Sequence, residues 1–231
     1  MRFGIISAGE GSRLATEGFG QPKPLVPIDG VPMIERLVRI IMDYGAERIA
    51  VIVNGKSLET VRLLERLADE MPIDLVVKST PTPMHSLMEL VPYLGNDRFC
   101  VTTVDTVFPV SRFRAMMDEF SKTPYDGIMG VTSFIDDEKP LYVDTGDDMM
   151  IRGFLDEKTG CRYVSAGIYA LKASALDVLK GCVESSQTRM RYFQRQLLES
   201  GMSLKAFDMG QVVDVDHVSD IAKAERIAVL E

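Results

Sequence analysis

The sequence predicts an α/β fold in which a mostly parallel mixed sheet is flanked by helices. Three observations lead there. Short apolar runs of strand length alternate with helix-period patterns through the first half, the arrangement of βαβ units on a parallel sheet. The 231 residues are 46% hydrophobic and 26% charged, a globular composition with room for a sizeable core. No low-complexity linker or internal repeat interrupts them, so one domain over residues 1–231 is expected, its first half ending near residue 125.

The elements follow in order. Strands are expected at Phe3 to Ser7, Arg48 to Val53, Asp74 to Val77 and Arg98 to Val104. Ile34, Leu37, Val38 and Ile41 recur at helical spacing before Gly45, and Leu58, Val61, Leu64 and Leu67 do so before Pro72. Both read as crossover helices. A third helix is expected from His85 to Leu94, and a fourth carries Phe113, Met116, Met117 and Phe120. From Asp126 the pattern changes to strands at Gly127 to Phe134, Leu141 to Val143, Met149 to Leu155 and Arg162 to Leu171, an antiparallel or mixed extension of the sheet. Acidic turns divide them, such as Asp136-Asp137-Glu138-Lys139-Pro140. Helices over Ser174 to Lys180 and Arg189 to Ser200, strands over Leu204 to Phe207 and Gln211 to Val215, and a closing helix from Ser219 complete the chain.

The formal charge is −8, with no Lys/Arg-rich block and no Trp, which argues against nucleic acid or an anionic membrane as partner. Small phosphorylated ligands stay open, because a few placed cations bind them. Cys100, Cys161 and Cys182 lie far apart and form no C-x-x-C pair, so buried, reduced thiols are expected rather than a disulfide framework or a zinc ribbon. The N-terminal apolar run meets glycines too soon for a signal peptide, and no stretch approaches the roughly twenty apolar residues of a membrane span. A cytoplasmic protein is expected.

The first strand runs into Ser7-Ala8-Gly9-Glu10-Gly11-Ser12-Arg13-Leu14. Small residues there leave backbone N–H groups free to face an anion, so the loop reads as a phosphate cradle; a plain tight turn would look the same. A dinucleotide-binding G-x-G-x-x-G fails, because Leu14 takes the third small position and Asn54-Gly55 stands where an acidic residue is needed. A Walker loop fails too, for want of Gly-Lys-Ser/Thr. Arg13 and Lys23 follow, the latter between Pro22 and Pro24, which should hold the backbone extended and the ammonium in place. A fixed Lys suits phosphate as a point charge and Arg suits several phosphate oxygens. A surface lysine in a proline turn is the plainer alternative.

Taken together, Ala8-Gly9-Glu10-Gly11-Ser12-Arg13-Leu14, Pro22-Lys23-Pro24-Leu25-Val26-Pro27 and Gly30-Val31-Pro32-Met33-Ile34 resemble the signature of the sugar-phosphate nucleotidyltransferases. Val104-Asp105, Glu157-Lys158, Ser165-Ala166-Gly167-Ile168-Tyr169 and Asp214-Val215-Asp216-His217 extend the likeness over nearly the whole chain. The resemblance implies a Rossmann-like sheet of the GT-A type, with a nucleotide-binding half over about 1–125 and an acceptor-binding half over about 126–231. It also implies attack by a sugar phosphate, or similar phosphorylated alcohol, on a nucleoside triphosphate, giving an NDP-sugar or CMP-type product and pyrophosphate. Both reactants are polyanions, so Mg²⁺ is expected beside Arg13 and Lys23, the two residues assigned to catalysis.

The same resemblance distributes the remaining roles. Asp105, at the carboxyl end of a strand, and Asp214, with Asp216 as its substitute, are the expected metal ligands; hard oxygen donors suit Mg²⁺. A turn cap for Asp105 and a helix cap for the pair are the structural alternatives. Ala8, Gly9, Glu10, Gly11 and Ser12 are expected on the nucleotide phosphates, and Thr80 and Ser86 near the base. Neither hydroxyl selects one base, since each donates and accepts. Glu157, Lys158 and Gly167 are expected at the acceptor, with Thr159 where a proline is common and Ser165 where Asn is common. Arg189, Arg191 and Arg195 either reach the acceptor phosphate or form a solvated helix face.

Rival readings are a nucleotidyltransferase for phosphocholine, a phosphonate or a molybdenum cofactor, a non-catalytic nucleotide sensor, and a metal-dependent glycosyltransferase. The last normally carries D-x-D where this chain reads Asp105-Thr106-Val107. A covalent hydrolase is disfavoured, because neither of the two histidines sits in a recognisable nucleophile pattern. The chain ends soon after its closing helix, so no appended acyltransferase repeat domain is expected. Association into a homo-oligomer stays open.

Overall fold

A computed structural model describes residues 1–9, 12–135 and 139–229. β1 (Arg2–Ser7), buried over all but its first residue, lies inside the sheet. After α1 (Ser12–Thr16), a 3-10 turn over Lys23–Leu25 leads into the hairpin of β2 (Pro27–Ile28) and β3 (Val31–Pro32). Asp29 and Gly30 take φ of 51° and 76°, the left-handed pair that a two-residue hairpin turn favours. The crossovers continue through α2 (Met33–Tyr44), β4 (Arg48–Val53), α3 (Leu58–Glu70) and β5 (Ile73–Val77). Then come α4 (Pro83–Leu90), β6 (Arg98–Thr103), β7 (Thr106–Val107) and α5 (Val110–Lys122). The second half contains β8 (Gly127–Thr132), β9 (Tyr142–Thr145), β10 (Ile151–Leu155) and β11 (Tyr163–Lys172). It closes with α6 (Ala175–Glu184), α7 (Met190–Glu199), β12 (Leu204–Asp208), β13 (Val213–Asp214) and α8 (Val218–Val229).

The main sheet runs β10-β9-β11-β6-β1-β4-β5, with β8 paired to β11 and β12 to β8. β1, β4, β5, β6, β8, β9 and β12 point one way and only β10 and β11 the other, so the expected mostly parallel mixed sheet is what forms. One face carries α2, α3, α5 and α8, whose Ile34, Leu64, Phe113 and Ala224 pack with Phe3 and Ile5. The other carries α4, α6 and α7, whose Leu87, Leu179 and Phe193 pack with Ile6, Phe99 and Val101. Alternation along each strand sends successive side chains to these two layers. All three cysteines are free and buried. Among the described residues no helix is long and apolar enough to cross a membrane.

Three expectations change. The third helix stops at Leu90 and tightens to a 3-10 turn over Val91–Tyr93, because Pro92 has no N–H to continue the α-helical ladder. Lys23 is not in extended backbone: it opens the 3-10 turn, with Pro22 extended before it and Val26 N–H bonded back to the Lys23 carbonyl. Proline at the second position of a helical turn needs no N–H, so the flanking prolines fix a turn instead of a strand. Third, the expected strand from Gln211 to Val215 shrinks to β13, which leaves the main sheet and pairs antiparallel with β7, Asp214 opposite Thr106. The acidic turn at Asp136, Asp137 and Glu138 lies outside the described residues.

Candidate active site

β1, β4, β5 and β6 all end on the same edge of the sheet, with Ser7 in register with Val53 and Ile6 with Thr103. The segments that follow these strands therefore meet above that edge, where open α/β sheets bind ligands. Behind the glycine turn, Asn54 is buried; its Nδ2 donates to the Ala8 carbonyl (3.4 Å), while its Oδ1 accepts from Lys56 N–H (3.0 Å) and Ser79 Oγ (2.7 Å). This brace ties the residue that follows β1 to the ends of β4 and β5. Glu10 and Gly11, assigned to the phosphates from sequence, lie outside the described residues.

Lys23 is the hub. Its Nζ donates to Asp105 Oδ2 (2.5 Å) and to Asp216 Oδ1 (2.6 Å), and its side chain is only 11% exposed. Arg13 Nη1 reaches the other oxygen of Asp216 at 2.6 Å. Burial disfavours the Lys23 charge, but the Asp105 and Asp216 carboxylates outweigh it and hold the ammonium above its ordinary pKa. Residues 82 and 193 positions from Lys23 thus converge on one cation.

Asp214 stands beside this group. β13 is docked on β7, Val215 N–H bonds to the Asp105 carbonyl at 3.0 Å, and Thr106 Oγ1 donates to Asp214 Oδ1 at 2.9 Å. Asp216 lies past the strand, with its N–H on the Asp214 carbonyl (3.0 Å), so a turn aims both acids at the cleft where simple alternation along a strand was expected. The Asp214 carboxyl is raised above the usual carboxylate range, first by desolvation and then by the Asp105 charge; the Thr106 hydroxyl opposes the rise. Its side chain still presents surface to the cleft, so a cation can reach it. Gly167, at φ 71°, sits below: a Cβ there would come within 3.1 Å of Thr106 Oγ1. The left-handed backbone and this close contact both favour glycine beside the hydroxyl that holds Asp214.

Two cavities meet at Arg13 and Asp216, which line both. One, of about 610 Å³, is walled by Ser7, Gly9, Lys23, Pro83, Thr103 and Asp105. The other, of about 260 Å³, is walled by Thr132, Phe134, Ser165, Ala166, Asp214 and Lys223.

The other assigned residues are placed as follows. Thr80 and Ser86 hydrogen bond each other (2.6 Å), and Ser86 is buried. Glu157 and Lys158 stand in the exposed turn after β10, outside both cavity walls. Arg191 and Arg195 both hold Asp156, at 2.5 and 2.8 Å, which ties α7 to the end of β10. Buried Gln194 accepts from Ser165 Oγ (3.0 Å) and donates to Tyr169 OH (3.3 Å), fixing Ser165 in the wall of the smaller cavity.

Sequence reasoning missed Thr106, Asn54 and Ser79. The rule that found Asp105, a polar residue just past a strand, would have found Asn54 and Ser79. Thr106 gives no local signal, since its partner is 108 residues away.

The start of α8 is fixed by two acids. Glu17 takes the His217 ring at 2.5 Å and the Val218 N–H at 2.8 Å, and Asp220 accepts from His217 N–H at 2.8 Å. The hydrogen bond to Glu17 raises the His217 pKa above 6.5, and the bond to His217 lowers that of Glu17. By linkage, the His217 contribution is complete below its unfolded pKa and is lost as pH rises through its folded value; that of Glu17 is lost as pH falls through its own. Glu17→Gln is expected to bring the His217 midpoint back down toward 6.5, read from ring-proton shifts in an NMR titration. An unchanged midpoint would show that the pair does not form.

A family profile described as the MobA-like NTP transferase domain matches residues 4–182. Over 228 residues the chain is 25% identical to a bifunctional protein GlmU of Methanococcus maripaludis strain C7, covering 95% of this chain and 52% of that protein. The chain spans about half the length of the curated relatives it matches. Among solved structures, the inositol-1-phosphate CTP transferase of T. maritima superposes with a TM-score of 0.80 at 19% identity, over 99% of this chain and 94% of that one. A putative glucose-1-phosphate thymidylyltransferase of Bacillus anthracis does so with a TM-score of 0.86 at 20% identity, over 99% and 95%. Both share the fold.

Proposed function

The chain belongs to the MobA-like NTP transferase family, matched over residues 4–182, and on that footing we propose that it transfers a nucleotidyl group from a nucleoside triphosphate to a phosphorylated acceptor. A non-bridging oxygen of the acceptor phosphate attacks the α-phosphorus. The bond from that phosphorus to its β-bridging oxygen breaks, and pyrophosphate leaves with the electron pair. A sugar phosphate is the acceptor implied by the sequence resemblance.

The observation that carries this reading is the single cation position shared by Asp105, Asp216 and Lys23, with Arg13 on its flank, at the junction of the two cavities. Lys23 and Arg13 together balance the charges of Asp105 and Asp216. A triphosphate entering beside Gly9 competes for Lys23 and Arg13, whose charges then oppose the repulsion between the two polyanions. Thr106 fixes the Asp214 carboxylate by a hydrogen bond, in the wall of the adjoining smaller cavity.

The donor set fits Mg²⁺. All three candidates are carboxylates, and among the described residues no group of three or more His, Cys, Asp or Glu is spaced to hold a metal unaided. Mg²⁺ characteristically takes one or two carboxylates and fills the rest of its shell with water and substrate phosphates. Asp105 with Asp214 or Asp216 would hold it. Bound there, it would supply charge neutralisation and in-line orientation of the phosphates.

A phosphorylated alcohol other than a sugar is the second reading. It is favoured by the exposed placement of Glu157 and Lys158, the pair expected to recognise a sugar and its phosphate, away from the smaller cavity. Both readings are tested by a pyrophosphate-release screen with Mg²⁺, five nucleoside triphosphates, and panels of sugar phosphates and phosphorylated alcohols. Turnover with one triphosphate and one acceptor, abolished by EDTA, is expected. Release without any acceptor, or none with the full panel, contradicts the assignment.

A further inference from the structure

Among the described residues, Ser7 Oγ is the one buried side-chain polar atom that has no hydrogen-bond partner. Ser7 is the last residue of β1, 4% exposed, on the strand face that also carries Phe3 and Ile5. It walls two cavities at once. The first is the 610 Å³ cleft with Lys23, Asp105 and Asp216; the second, of about 440 Å³, is bounded by Gly9, Gln21, Lys23, Asn54, Lys56 and Ser57. Ser7 therefore stands between the two cavities.

The neighbouring hydroxyls are committed elsewhere. Thr103 is bonded to Thr106, Ser79 to Asn54, Thr80 to Ser86 and Ser57 to Thr60. Folding an unpaired hydroxyl into a protein interior costs stability that alanine would not. A cost of this kind at a ligand-lined position is offset when a ligand supplies the missing partner. Of the two cavities at Ser7, the acids Asp105 and Asp216 line only the larger; on the side of the 440 Å³ cavity Lys23 and Lys56 are the charged residues and Gly9 brings bare backbone, so the complementary group there is an anion whose oxygens only accept hydrogen bonds.

We propose that Ser7 is a phosphate-binding residue, its Oγ–H donating to a non-bridging oxygen of the pyrophosphate portion of the nucleoside triphosphate. The inference rests on the nucleotidyltransferase reading above and adds a contact to it. The hydroxyl is buried, and its residue lines both cavities in which Lys23 also stands.

The test uses inorganic pyrophosphate with Mg²⁺, which carries no base and so does not depend on knowing the nucleotide. Calorimetry would compare wild-type protein with Ser7→Ala, alongside the thermal midpoint of each without ligand. About tenfold weaker pyrophosphate binding by Ser7→Ala is expected, the loss of one charge-assisted hydrogen bond, with a ligand-free midpoint equal to or above that of wild type. Equal pyrophosphate affinity in the two proteins overturns the inference and leaves the nucleotidyltransferase reading standing. A lowered ligand-free midpoint also overturns it, since the hydroxyl would then already have a partner. If wild-type protein binds neither pyrophosphate nor any of five nucleoside triphosphates, the underlying reading fails and the inference with it.

Discussion

Replacing Lys23 with methionine is expected to slow pyrophosphate release by about 10²–10³-fold, the usual loss when one preorganised donor to developing charge is removed. The same change should have an opposite effect on metal binding. With its ammonium gone, Asp105 and Asp216 lose the cation they share at 2.5 and 2.6 Å, and the ligand-free protein should bind Mn²⁺ at least tenfold more tightly than wild type. Stability should fall by about 1–2 kcal/mol without metal, a value discounted for exposure because Asp105 and Asp216 remain 26% and 37% open to solvent. Added Mg²⁺ should restore it. Denaturant titrations with and without the ion, and Mn²⁺ binding followed by electron paramagnetic resonance, check both. A lysine that merely decorated a turn would change neither.

Asp105→Asn is the second large effect. The amide keeps the shape of the carboxylate and can accept from Lys23, so the fold should persist, but it brings no charge to a divalent ion. Turnover is expected to drop by at least about 10²-fold. Retained turnover would remove Asp105 from the mechanism. The parallel variants Asp214→Asn and Asp216→Asn separate two roles that the geometry sets apart: Asp214 is held by Thr106, whereas Asp216 is shared between Lys23 and Arg13. The variant that loses Mn²⁺ binding identifies the second ligand; the one that loses only triphosphate affinity identifies the acid that positions the two cations.

The parallel half of the sheet was legible because each strand is a short, mainly apolar run and the crossover helices repeat at helical spacing. Asp105 was legible for a related reason, since a carboxylate just past a buried strand must emerge at the sheet edge. What could not be read was how distant segments meet. β7 and β13 are two residues each, too short to show any period, yet their pairing brings Asp214 to Thr106. The geometry around Lys23 was half visible: two prolines announced rigidity, but whether they fix an extended segment or a 3-10 turn depends on the Pro22 carbonyl finding Leu25 N–H at 2.8 Å. Ser86 shows the reverse limit. Its hydroxyl suits base recognition in sequence, while its burial and its hydrogen bond to Thr80 appear only in the fold.

The most direct test of the convergence of Asp105, Asp214 and Asp216 with Lys23 and Arg13 is anomalous diffraction from crystals grown with Mn²⁺ and a non-hydrolysable triphosphate. The expected map has one manganese peak within coordination distance of Asp105 and of Asp214 or Asp216, with Lys23 moved from the carboxylates to the phosphates. A bound triphosphate whose manganese lies away from Asp105, with Lys23 still bridging Asp105 and Asp216, would contradict it.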